Sequence, residues 1–115
     1  CIIVDNTTGN NNTAVGIFSL QTNDTGSYNT ANGFYALANN EGNNNTALGA
    51  SSLRNSKGND NTALGYRALG GNTTGSKNTA LGAEAGAKQS DGLTDLTGAE
   101  NSIYIGHNVR GKDDD

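Results

Sequence analysis

Apolar residues in this chain come in short islands at a fixed interval, separated by stretches of Asn, Thr, Gly and Ser. Each island starts Thr-Ala-x-Gly, where x is Val15, Asn32, Leu48, Leu64 or Leu81, and four of the five continue to Leu20, Leu37, Leu53 or Leu69. The Gly that closes the first half falls at Gly16, Gly33, Gly49, Gly65 and Gly82, with separations of 17, 16, 16 and 17 residues. A second Gly stands seven positions earlier (Gly9, Gly26, Gly42, Gly58, Gly75) and an Asn four positions earlier (Asn12, Asn29, Asn45, Asn61, Asn78). Fixed columns of this kind mark a structural repeat and not a low-complexity tract. Length variation is confined to the polar links, "QTNDT" and "GGNTT" against "ANNE" and "RNSK", where a turn tolerates an extra residue.

The unit is too short and too rich in Gly for a pair of helices, which repeat at about 33 to 45 residues. Gly and Asn are the residues that most readily adopt left-handed backbone, so their columns predict corners, with short strands between them. Along "TALG" the side chains alternate, which puts the Thr column on one face with Val15, Leu48, Leu64 and Leu81, and leaves Ala and Gly on the other. The presence of the larger apolar residues argues that the Thr face is buried. A second strand is expected to carry Leu20, Leu37, Leu53 and Leu69, so that stacking at about 4.8 Å turns each column into a ladder.

The frame divides the chain into regular repeats over 1–86, an inserted loop over 87–98, and a final degenerate repeat with an acidic link over 99–115. In that last repeat "NSIYIG" sets Ile103 and Ile105 in the ladder and Gly106 in the corner column, 24 residues after Gly82. The loop follows directly on Gly86, which replaces the ladder Leu, and Leu93 and Leu96 are expected to tuck back from it. "CIIV" aligns with "IFSL", so the reading starts mid-repeat and expects a longer fibre around it.

Composition narrows the function. Only 32% of the residues are hydrophobic and there is no Trp or Met, too little for an ordinary globular core. Each coil offers about two Leu-sized side chains against the ordering of some 16 residues, so several chains sharing one apolar seam are expected. A net charge of -4 without a basic stripe excludes nucleic acid, and no apolar run approaches the roughly 20 residues of a membrane helix. Cys1 is the only cysteine and can close no disulfide within the chain.

The columns resemble a known family: the left-handed parallel β-roll repeats of YadA-like heads in trimeric autotransporter adhesins, and the related repeats of phage tail fibres. "NSIYIG" is the closest literal match to the family's strand signature, with "NTAVG", "NTANG" and the three copies of "NTALG" looser, and the resemblance covers nearly the whole chain. It differs in a slightly longer repeat and in Thr where a larger apolar residue is usual. The resemblance implies an all-β, homotrimeric, left-handed β-roll or β-solenoid with 16–17-residue coils, outside the cell on a virion tail fibre or a bacterial surface. Its partners would be two further copies of itself and a cell-surface glycan or protein receptor, with no cofactor.

Candidate chemistry is sparse. His107 has no triad or metal motif around it, and Asp113 to Asp115 lack the Gly- and Asp-rich nonapeptides of calcium-binding solenoids. Glu84, Asp91, Asp95 and Glu100 cluster only loosely around the inserted loop, so no glycosidase pair is expected. Phe18, Phe34, Tyr35 and Tyr66 follow the corner Gly by one or two positions. These four aromatics either form a patch that stacks on a sugar or pack in a seam between chains, Phe18 and Phe34 inside it and Tyr35 and Tyr66 at its rim, the second being favoured; Tyr35, Tyr66, Leu93 and Leu96 are the candidate surface-binding residues. Sequons at Asn6 and Asn72 arise from composition. The expected function is non-enzymatic: attachment by a trimeric fibre, with a rigid spacer as one alternative and an ice-binding Thr ladder, which requires that ladder exposed, as another.

Overall fold

The computed structural model describes residues 6–88 and 97–110. Among these, six strands of three residues form one parallel sheet in chain order: β1 (Thr13–Val15), β2 (Thr30–Asn32), β3 (Thr46–Leu48), β4 (Thr62–Leu64), β5 (Thr79–Leu81) and β6 (Ile103–Ile105). Equivalent residues pair throughout, Thr46 with Thr62 and Leu48 with Leu64, for example, so the chain is an all-β solenoid with like residues stacked. Register survives the insertion, since Thr79 pairs with Ile103 and Leu81 with Ile105.

Backbone geometry keeps the strands short. β3 lies between Asn44, at φ +57°, and Gly49, at φ +127°, and the other strands are bounded at the same columns. The second expected strand is not extended. Its residues include Ser51 at φ +58° and Leu53 at φ +45°, and two left-handed residues so close together make a turn. Stacking persists through that turn: the Leu37, Leu53 and Leu69 amides donate to the carbonyls of Ser52, Ala68 and Ala85 in the next coil at 3.1, 3.1 and 2.9 Å. A left-handed Leu costs roughly 1–2 kcal/mol. Complete burial of Leu20, Leu37, Leu53 and Leu69 offsets this with roughly 1.5–3 kcal/mol each.

The facing of the strands reverses the sequence expectation. Ala31, Ala47, Ala63 and Ala80 point inward and pack with the Leu20–Leu69 ladder in one core, while Thr13, Thr30, Thr46, Thr62 and Thr79 are exposed. The reason is space. The Leu ladder arrives from the turn side and fills a narrow coil, leaving room on the strand for nothing larger than Ala.

The Asn columns also act differently from corners made by left-handed Asn. Asn29, Asn45, Asn61 and Asn78 are fully buried, and the left-handed residue is the one before each: Tyr28, Asn44, Asp60 and Lys77. Each amide bridges coils. Asn61 Nδ2 donates to the Gly75 carbonyl at 2.9 Å and its Oδ1 accepts from the Asn78 N–H at 3.0 Å. Asn45 repeats the pattern on Gly58 and Asn61 at 2.9 and 3.0 Å. A second buried amide column, Asn23, Asn40 and Asn72, reaches the same glycine carbonyls from the other side at 2.8, 2.8 and 3.0 Å. These side chains satisfy backbone groups that short strands leave over.

Gly86 marks the end of the Leu ladder. In β6 the inward position carries Tyr104 in place of Ala, and a Cβ on Gly86 would lie 2.6 Å from Tyr104 Cδ2 and 2.9 Å from Leu69 Cδ2. The lost Leu thus makes room for the gained ring. Gly86→Leu, which restores the repeat's own residue, should destabilise the chain by about 2–3 kcal/mol through overpacking. Tyr104→Ala in the same molecule should recover most of it, as a thermal-melting double-mutant cycle would record.

Candidate functional site

Two surfaces remain after the core is closed. The first is the outer strand face. The ladder beside the exposed Thr column is apolar and uncovered: Val15 is 54% exposed, Leu48 39%, Leu64 41%, Leu81 43% and Ile105 65%, and Ile103, which ends the Thr column itself, is 73% exposed on the same face. Hence the ten-residue ladder expected from sequence is two ladders. Leu20, Leu37, Leu53 and Leu69 are the core of the coil, and the other six residues form a stripe on its surface. Asn32 alone interrupts the stripe with a polar side chain. Ile17, Phe34 and Tyr66, each just past a corner Gly, extend the apolar surface along one edge.

The second surface is the turn side. Phe18 and Tyr35 rings stack with centroids 4.9 Å apart, Phe34 meets Tyr35 edge-on at 4.4 Å, and the Arg54 guanidinium carbon lies 4.5 Å from the Tyr35 centroid. Tyr35 is therefore half-buried under Arg54 and does not offer a free ring, whereas Tyr66 stands exposed. Beside Tyr66 a cleft of about 350 Å³ is lined by Ser51, Arg54, Asn55, Tyr66, Arg67 and Gly70. Arg67 pairs with Glu84 at 3.8 Å across the coils, and Lys57 with Glu41 at 3.3 Å, both at the surface where such pairs contribute little.

Other sequence candidates are placed as follows. The corner residues Gly16, Gly33, Gly49, Gly65, Gly82 and Gly106 all have φ between +122° and +139°. His107 is exposed, and no group of three His, Cys, Asp or Glu side chains that could hold a metal ion occurs among the described residues. Asn72 is fully buried with its amide donating to Gly75, which closes that sequon, while Asn6 is exposed. Cys1, Leu93, Leu96 and Asp113 to Asp115 lie outside the described residues. Among the described residues no helix is long and apolar enough to cross a membrane. Sequence reasoning missed Arg54, Arg67, Ser51 and Asn55. The available signal was their position: the Ser51 and Arg67 column holds Phe18 and Tyr35 in the preceding coils.

No protein-family model matches the chain, and neither a curated protein nor a solved structure is significantly similar to it.

Proposed function

We propose that this chain is a non-enzymatic segment of a homotrimeric extracellular fibre that takes part in attachment to a cell surface. In this reading it is a left-handed β-roll of 16–17-residue coils, akin to YadA-like head repeats and tail-fibre repeats. Two further copies cover its outer strand face. The observation that carries the proposal is the uncovered apolar stripe from Val15 to Ile105, repeated in register along the sheet. Contiguous exposed apolar surface of this kind marks an interaction site. Because every copy presents the same stripe at the same spacing, a parallel partner of identical sequence matches it rung for rung. The exposed rim and the turn face stay available to a receptor, and the spacer alternative assigns that contact to another part of the fibre.

Leu64→Asp tests the seam. Leu64 is outside the core of its own coil, so the variant should keep the fold but put unpaired carboxylates between chains, each costing several kcal/mol. Sedimentation should show folded monomers where the unaltered chain is trimeric. Unchanged association would remove the stripe as the seam.

A second reading is favoured by one observation: five Thr side chains stand exposed in a regular row on the same face. That is the condition an ice-binding ladder requires. Against it, the neighbouring column is Leu, Val and Ile, and Ile17, Phe34 and Tyr66 project beside it. Arrest of ice growth by the unaltered protein in a cold-stage assay, with loss in Thr62→Leu, would establish this reading over the fibre; ordinary growth would dismiss it.

A further inference from the structure

We propose that the turn-side cleft between the segments following β3 and β4 is a binding site for a sugar bearing a carboxylate. The site deepens the attachment reading, since it supplies the chemistry of a receptor, but it is formed within one chain and does not depend on the trimer. Its volume, about 350 Å³, is at the lower end of the range of small-ligand sites.

The cleft is made by departures from the repeat. The position of Ser51 is filled by Phe18 and Tyr35 in earlier coils and by Arg67 in the next, and the position of Gly70 is filled by Arg54 one coil before. Ser51 thus stands where the neighbouring coils carry Tyr35 and Arg67, and Gly70 where the coil before carries Arg54, so these two small residues open a gap. Two of the chain's three arginines line that gap, in a protein whose net charge is -4. Arg54 is held over Tyr35, which fixes its position without a carboxylate partner, and Arg67 has only a long contact with Glu84. Guanidinium groups so placed favour a planar carboxylate, which they can grip with paired N–H donors. Tyr66 adds an exposed aromatic ring at the wall, able to lie against the C–H face of a pyranose. Ser51 and Asn55 supply a hydroxyl and an amide for ring hydroxyls. Phosphate would use the arginines but not the ring, and a neutral sugar the ring but not the arginines.

The test is a titration of the whole chain with D-glucuronate, D-glucose and inorganic phosphate, followed through the amide NMR shifts of Ser51, Asn55, Tyr66 and Arg67. Glucuronate should give saturable shifts, with glucose and phosphate each weaker by about tenfold or more, the size of one charge-assisted contact. Arg67→Gln and Tyr66→Ala, both surface changes with unaltered melting temperature expected, should each weaken glucuronate by a similar factor. Absence of saturable shifts, equal binding of glucose or phosphate, or indifference to both substitutions would overturn the site. Sedimentation of the same sample reports the oligomeric state separately, so the loss of one proposal is not mistaken for the loss of the other.

Discussion

Gly58→Ala should abolish folding, although it adds one methyl group to a polar segment. A Cβ there would sit 1.9 Å from the Gly75 carbonyl oxygen and 2.7 Å from its carbon, both main-chain atoms of the next coil. No rotamer relieves this contact, because the offending atom is Cβ itself and its neighbour is held by the Asn61 amide at 2.9 Å. Separating the coils would stretch the β3–β4 and β4–β5 ladders at once. The expected loss is about 3 kcal/mol or more, large against the stability of so small a chain. Gly98→Ala is the matched control, since among the described residues the one atom near its Cβ is Thr74 Oγ1 at an ordinary 3.6 Å. It should change stability by less than about 0.5 kcal/mol. Circular dichroism melts of the two variants check the contrast.

The second large effect is expected for Asn61→Ala. The side chain is fully buried and serves three partners: it donates to the carbonyl of Gly75 at 2.9 Å and to Asn45 Oδ1 at 3.2 Å, and accepts from the Asn78 N–H at 3.0 Å. Truncation leaves the Asn78 N–H buried without a partner, at about 1–3 kcal/mol, and leaves the Gly75 carbonyl with the Asn72 amide as its one side-chain donor. Ala offers that N–H no acceptor. Denaturant unfolding should therefore show a loss of about 2–3 kcal/mol. The same change at Asn10, which is exposed and donates only to the nearby Thr8 carbonyl, should cost little. Hydrogen exchange would locate the damage, with the Asn78 amide losing protection first, while the Gly75 amide keeps its bond to Asn72 Oδ1.

Sequence periodicity carried the architecture well. The Gly and Asn columns predicted a stacked solenoid, and the pairing of Thr46 with Thr62 follows the same frame that aligns "NTALG" with "NTALG". Alternation along the strand also sorted the side chains into the correct two sets. What it could not decide was which set is inside. Larger residues are ordinarily buried, and that rule selected Leu48, Leu64 and Leu81. In a coil this narrow the interior is already filled by Leu37, Leu53 and Leu69 from the turn, and only Ala fits opposite them. The second strand failed for a related reason: nothing in Leu53 or Ser51 as residue types announces left-handed backbone, which stacking imposes on them. The Asn columns were legible as fixed positions but not as a hydrogen-bond ladder, because that role depends on the glycine carbonyls of a neighbouring coil. Gly86 was visible as a broken column, and its cause, the Tyr104 ring, lies beyond the inserted loop. The cleft at Arg54 and Arg67 required adjacent coils to be superposed in space before the small residues between them became visible as a gap.

Sedimentation equilibrium of the unaltered chain, over a range of concentrations at neutral pH, addresses the exposed stripe most directly. A mass three times the chain's 11.7 kDa is expected, with no folded monomer down to the lowest concentration that can be read. A stably folded species at the mass of one chain would contradict the shared seam, and with it the fibre.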